Sequence, residues 1–118
     1  MTVARQRLGR AGEDFVARSL AGRGWQIVAR NWRMRGGELD IVARDAATLV
    51  FVEVKARRAA ADEWLALRQR GRLAETAAEY LRRLGWDGAW RIDVAAVELD
   101  ARGEVTAWTY YEDAIDGE

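Results

Sequence analysis

The chain of 118 residues contains no cysteine and no histidine. Without thiols it forms no disulfide, thiolate nucleophile or zinc–thiolate site, and without imidazole it lacks the commonest general base and transition-metal ligand. Any catalysis must rest on carboxylates, lysine, hydroxyls or a hard, oxygen-bound metal. No apolar run approaches the length of a membrane span, and the opening stretch Met1-Thr2-Val3-Ala4-Arg5-Gln6-Arg7 has no signal-like apolar region. The expectation is therefore a soluble, cytoplasmic protein with no membrane partner. No glycine-rich phosphate loop followed by Lys-Ser or Lys-Thr occurs, which leaves nucleoside triphosphate hydrolysis without support.

Lysine is almost absent too. Of nineteen basic residues eighteen are Arg, and the only Lys is Lys55. An Arg side chain stays charged in a protein, whereas a partly buried Lys can release its proton or act as a compact point charge. Lys55 closes the run Leu49-Val50-Phe51-Val52-Glu53-Val54-Lys55, which follows Gly37-Glu38-Leu39-Asp40-Ile41-Val42-Ala43 across a short turn at Asp45-Ala46-Ala47-Thr48. Both runs are rich in β-branched and apolar residues and are expected to be neighbouring strands. Alternation then sets Glu38, Asp40 and Val42 on one face, and Leu49, Phe51, Glu53 and Lys55 together on a face of the neighbour. Two carboxylates and an amine thus converge, and acids in apolar strands are best tolerated around something positive. Oxygen ligands from Asp40 and Glu53 suit Mg²⁺ or Mn²⁺, with Lys55 placed to orient or deprotonate an attacking water. Paired carboxylates also serve glycoside hydrolysis, but that chemistry gives no reason for the lysine or the surrounding arginines.

Formal net charge is zero, yet residues 1–58 carry twelve basic and six acidic side chains, net +6, and residues 59–118 carry seven and thirteen, net −6. The basic half holds the Asp40/Glu53/Lys55 cluster, which points to a polyanion such as nucleic acid; an ordinary mixed surface is the alternative.

At this length the chain makes one domain with its own core. A helix is expected from about Arg5 to Ala21, striped by Leu8, Gly12, Phe15 and Ser19 and widened by Val16 and Leu20. Gly22-Arg23-Gly24 ends it. Glu13 lies at the edge of that stripe, within reach of a site on the sheet or else solvated. Trp25 to Arg30 forms a first strand, and Asn31 to Gly37 is a connection whose Arg33, Arg35 and Trp32 can grip phosphates and stack on a base, unless the Trp serves packing. After the third strand, Ala56 to Asp62 is expected as a loop. A second helix then runs from near Asp62 or Glu63 to Leu84, striped by Leu73, Ala77, Tyr80, Leu81 and Leu84. Arg57, Arg58, Arg68, Arg70 and Arg72 form a basic rim near Lys55, or a solvated face. Trp90 to Leu99 is a fourth strand, Asp100-Ala101-Arg102-Gly103 a turn, Glu104 to Tyr111 a fifth strand, and Glu112 to Glu118 a frayed acidic tail. The order αβββαββ describes a mixed α/β sheet with helices on its faces.

Several segments together resemble the bacterial YraN family, whose members are related to the PD-(D/E)XK nucleases and to archaeal Holliday-junction resolvases. They are Gly9-Arg10-Ala11-Gly12-Glu13, Arg30-Asn31-Trp32-Arg33, Gly37-Glu38-Leu39-Asp40, Phe51-Val52-Glu53-Val54-Lys55-Ala56-Arg57 and Arg91-Ile92-Asp93-Val94, and they span nearly the whole chain. The resemblance implies a restriction-endonuclease-like core with Glu13 as the helix acid, Asp40 and Glu53 as metal ligands and Lys55 as the catalytic amine. It also implies homodimers. Leu39 stands where the wider nuclease motif has proline, which removes no ligand, and Gln69 stands where relatives often carry lysine. The expected function is a Mg²⁺- or Mn²⁺-dependent, structure-selective DNA endonuclease. The alternative is a non-catalytic nucleic-acid-binding or assembly module built on the same fold.

Overall fold

The computed structural model describes residues 3–58 and 70–115, with side chains from residue 9 to 58 and from residue 72 to 115. Helix α1 (Val3–Gly22) is followed by strands β1 (Gln26–Met34), β2 (Gly37–Asp45) and β3 (Thr48–Arg58), helix α2 (Arg70–Leu84), and strands β4 (Trp90–Leu99) and β5 (Val105–Ile115). The expected order of elements, αβββαββ, is the observed one. The five strands form one sheet in the order β1-β2-β3-β4-β5. β3 and β4 are parallel and the other pairs antiparallel. Hairpins join the antiparallel pairs, while the parallel pair requires the crossover that carries α2.

The two helices cover opposite faces. Under α1, Val16 and Leu20 meet Ile41, Val50, Val52, Ala95 and Val97. Under α2, Leu73, Ala77, Tyr80 and Leu81 meet Leu49, Phe51 and Ile92. β3 contributes alternate residues to each core, so its apolar run is continuous because both of its faces are covered. Gly12 permits the close seating of α1, since a Cβ there would lie 3.0 Å from Ala56 Cβ. That contact holds the next residue, Glu13, against the sheet. Among the described residues no helix is long and apolar enough to cross a membrane.

Several sequence expectations are corrected. Asn31 to Met34 is not a connection but the second half of β1, and only Arg35 and Gly36 make the turn. Trp32 is a packing residue: its ring meets Tyr80 edge-on at 5.2 Å. Ala56 to Arg58 continues β3 instead of opening a loop. The first half of the expected second helix, residues 62–69, lies outside the described residues. Leu84 does not complete the α2 stripe, being half exposed one turn beyond Leu81. The supposed tail belongs to β5 as far as Ile115, which is buried against Ile92. Its acidic residues hid a strand whose closing apolar residue is single.

Strict alternation also fails on β2. Leu39 joins the core under α2, whereas Ile41 joins the core under α1. Opposite them on β1, Arg30 turns toward α1 and pairs with Asp14 at 2.6 Å, while Trp32 turns toward α2. Between the pairs Arg30↔Ile41 and Trp32↔Leu39 lie Asn31 and Asp40, and Asn31 has φ +53°. A left-handed residue in a strand swings the following side chain to the other face, so both strands change sides at this level.

Candidate active site in the fork between β2 and β3

The ladder between β2 and β3 stops at Ile41↔Val52. Beyond it the strands diverge, and the Asp40 side chain turns into the gap instead of joining Val42 on a face. Its Oδ2 accepts a hydrogen bond of 2.8 Å from the Val54 N–H, a donor that the ended ladder leaves to it. Glu53 and Lys55 project from the β3 face that carries Leu49 and Phe51, beyond the last turn of apolar cover. The Lys55 ammonium stands 3.4 Å from Glu53 Oε2, and both side chains are largely buried. These groups line an open cavity of about 360 Å³ together with Glu38, Arg72 and Thr76.

The electrostatics follow from this crowding. Burial, then a hydrogen bond and charge repulsion from Glu53, push the Asp40 carboxyl up to about 9, against the opposing pull of the Val54 N–H. Without a cation Asp40 therefore favours its protonated form, because a carboxylate beside another acid in a desolvated site is costly to ionise. Glu13 does not line the cavity, but its charge acts on Asp40 from the α1 side. Its own pKa is raised by burial and, less strongly, by Glu38, while Asn31 and Arg30 pull it down. Arg30 NH2 lies 3.6 Å from Glu13 Oε1.

The structure thus brings Glu13, Asp40, Glu53 and Lys55 into one neighbourhood. Of the arginines expected to hold nucleic acid, Arg72 lines the cavity and is exposed. Arg33 is exposed at the rim and bonds to Glu38 at 2.6 Å. Arg35 is exposed on the β1–β2 turn, and Arg58 is exposed at the end of β3. Arg57 sits farther along the sheet and pairs with Glu98 on β4 at 2.6 Å. The Arg70 side chain and Arg68 lie outside the described residues. Glu38 and Thr76 line the cavity although neither was assigned a role from the sequence. Glu38 carried a signal, as an acid that alternation places with Asp40 in the β2 run, while Thr76 enters only through the fold.

Asp93 belongs to a different arrangement. It is fully buried on the α1 side, where it accepts hydrogen bonds from Arg91 at 3.0 Å, from the Asp113 N–H at 2.7 Å and from the Tyr110 hydroxyl. Burial and Asp93 push the Tyr110 phenol up from its ordinary pKa. This carboxylate ties β5 to β4 and takes no part in the cavity.

A bound divalent cation fits the donor set in the fork. Mg²⁺ and Mn²⁺ take one or two carboxylates and keep several waters, and the buried, mutually repelling pair Asp40 and Glu53 is the kind of site that a cation stabilises. Among the described residues no group of three or more acidic side chains is spaced to cage an ion.

The fold and this site define a mixed α/β domain with an acid–acid–amine cluster in a solvent-open fork of its sheet. The chain belongs to the uncharacterised protein family UPF0102, the family that includes YraN, whose pattern matches residues 12–97. It is 42% identical over 120 residues to a UPF0102 protein of Pelotomaculum thermopropionicum, covering 98% of this chain and all of the relative. A UPF0102 protein of Roseiflexus castenholzii is 44% identical over 88% of this chain and 89% of its own length. One from Herpetosiphon aurantiacus is 42% identical over 85% and 87%.

Proposed function

We propose that this protein is a divalent-metal-dependent endonuclease that hydrolyses phosphodiesters in DNA of particular structure, and that its resemblance to PD-(D/E)XK nucleases extends to their chemistry. The observation that carries the reading is the convergence of Asp40, Glu53 and the chain's single lysine in one open cavity. Asp40 and Glu53 would hold a Mg²⁺ or Mn²⁺ ion, which when bound would supply Lewis-acid activation of the phosphodiester and of an attacking water. Asp40 is fixed for that role by the Val54 N–H and would bind the cation as a carboxylate. Lys55 leans on Glu53 and presents an ammonium to the attacking water and to the charge that develops on phosphorus oxygens. Arg72, across the cavity, holds the substrate's phosphate, with Arg33 and Arg35 meeting the backbone beyond the rim.

The test is incubation of the purified protein with Mg²⁺ or Mn²⁺ and a panel of duplex, flap, single-stranded and four-way DNA. Wild type is expected to cut at least one branched form. Lys55→Arg is expected to bind it with little loss but to cut it at least about 100-fold more slowly, because a guanidinium is bulkier and never yields its proton. DNA binding without cleavage of any form, together with no calorimetric signal for Mn²⁺, would overturn the reading in favour of a non-catalytic binding module.

A further inference from the structure

We infer that Arg23, with Arg18 farther back along α1, forms a second phosphate-binding surface that takes the backbone of a DNA arm other than the one held at the fork. For its substrate the inference rests on the endonuclease reading above. A local device places Arg23. α1 closes with the Gly24 N–H bonded to the Ala21 carbonyl at 3.0 Å and the Trp25 N–H to the Leu20 carbonyl at 3.1 Å, and Gly24 has φ +91°, a conformation that favours glycine. The reversal lays Trp25 edge-on to Tyr110, with centroids 6.1 Å apart.

The Arg23 guanidinium lies over three rings, 5.8 Å from the centroid of Trp25, 5.7 Å from Trp108 and 5.0 Å from Tyr110, all within the range of cation–π attraction. The residue is nonetheless exposed, and among the described residues no carboxylate pairs with its side chain and no acceptor takes its side-chain N–H groups. Nearby acids are engaged elsewhere: Asp14 pairs with Arg30, and Asp93 and Glu112 pair with Arg91. Rings hold a cation without using up its donors, so the guanidinium is fixed while its planar fork of N–H groups stays open to a phosphate. Its rotamer freedom is lost on folding and not on binding. Arg18 is also exposed, and it lines a cavity of about 510 Å³ between α1 and the β4–β5 turn, where Phe15 meets Trp108 edge-on at 5.2 Å. Glu104 lines that cavity from the β5 side, four residues or about 13 Å of extended chain before Trp108.

The position of this surface names its ligand. Gly12 sits over Ala56 and Val97 at the fork end of the sheet, whereas Trp25 lies 5.4 Å from Arg91 near the start of β4. α1 therefore runs from the fork toward the opposite end of the strands, and the ten residues from Glu13 to Arg23 span about 15 Å, or about four phosphates along one strand of a duplex. Arg72 and Arg23 stand on opposite faces of the sheet. A straight duplex held by Arg72 at the cavity runs past one face, while a branch sends a second arm past the other.

The test measures binding in the presence of a chelator, for a four-way DNA and for a linear duplex of equal length. Arg18→Gln combined with Arg23→Gln is expected to make the salt dependence of four-way binding shallower by about 1.8, roughly 0.9 per lost contact, and to leave that of the linear duplex unchanged. Arg23→Lys keeps a cation over the rings and is expected to retain the wild-type slope. Melting temperatures report separately what the rings and Arg23 contribute to folding. An unchanged four-way slope in the double variant, whatever its melting temperature, an equal loss on both DNAs, or a slope lost in Arg23→Lys as well would overturn the inference. The expected slopes in a protein that cuts no DNA with Mg²⁺ or Mn²⁺ would instead overturn the endonuclease reading and leave the second surface standing.

Discussion

Asp40→Asn offers the sharpest test of the fork's electrostatics, because it is read on the metal-free protein and needs no substrate. With its carboxyl pushed up to about 9, folded Asp40 holds a proton that the unfolded chain releases near pH 4. The folded state therefore binds more protons than the unfolded state between these values, so stability is greatest at the acid end and falls as pH rises toward 9. A single group contributes at most about 1.4 kcal/mol per pH unit, so the loss between pH 6 and pH 8 is at most on the order of 3 kcal/mol. Asparagine keeps an oxygen for the Val54 N–H and offers an N–H to Glu53, so the packing survives while the titration disappears. Denaturant unfolding in the presence of a chelator, at pH 6, 7 and 8, should show wild type losing up to about 3 kcal/mol relative to the variant over that interval, or on the order of 10 °C in melting temperature. Parallel pH profiles for the two proteins would refute the raised pKa of Asp40.

Asp40→Asn and Glu53→Gln should each weaken Mn²⁺ binding by about 10-fold or more in calorimetric titration while the proteins remain folded, because neutralising one of two repelling acids relieves the apo site. Gly37→Ala places a Cβ 2.0 Å from Thr76 Oγ1, forcing α2 away from the cavity mouth; a cost of about 1–3 kcal/mol is expected from chemical denaturation, partly recovered by adding Thr76→Ala. Tyr110→Phe removes a donor from fully buried Asp93 and should cost about 1–3 kcal/mol by the same measurement, with DNA cleavage unchanged. If Arg35 and Arg72 touch phosphates of duplex DNA, replacing both by Ala should make the salt dependence of binding shallower by roughly 0.9 per lost contact; an unaltered slope would return them to ordinary surface.

Much of the architecture was legible because it depends on local pattern. β3 and β4 are runs of apolar residues long enough to be covered on both faces, and the helices show stripes at the helical period. The errors fall where polar residues occupy strands. β1 was cut short at Arg30 because Asn31, Arg33 and Arg35 look like a loop, and β5 was cut short at Tyr111 because Glu112 and Asp113 look like a tail. Each segment is paired on one edge only, so its exposed positions carry no hydrophobic signal, and ladder hydrogen bonds hold it in the sheet regardless.

The sequence alone determined that any catalysis would rest on carboxylates, the single lysine, hydroxyls or a hard metal, because no thiol or imidazole is available. It also determined that Glu53 and Lys55 share a face, since period-two alternation on a continuous strand is a local property. Only the tertiary structure decided where Asp40 points. Its direction depends on the ladder ending at Ile41↔Val52 and on the left-handed residue across from it, and both arise from pairing between segments remote in the chain. The same holds for Glu13 and Arg72: one helix lies on each face of the sheet, and nothing in either helix's own periodicity specifies which strand end it will meet.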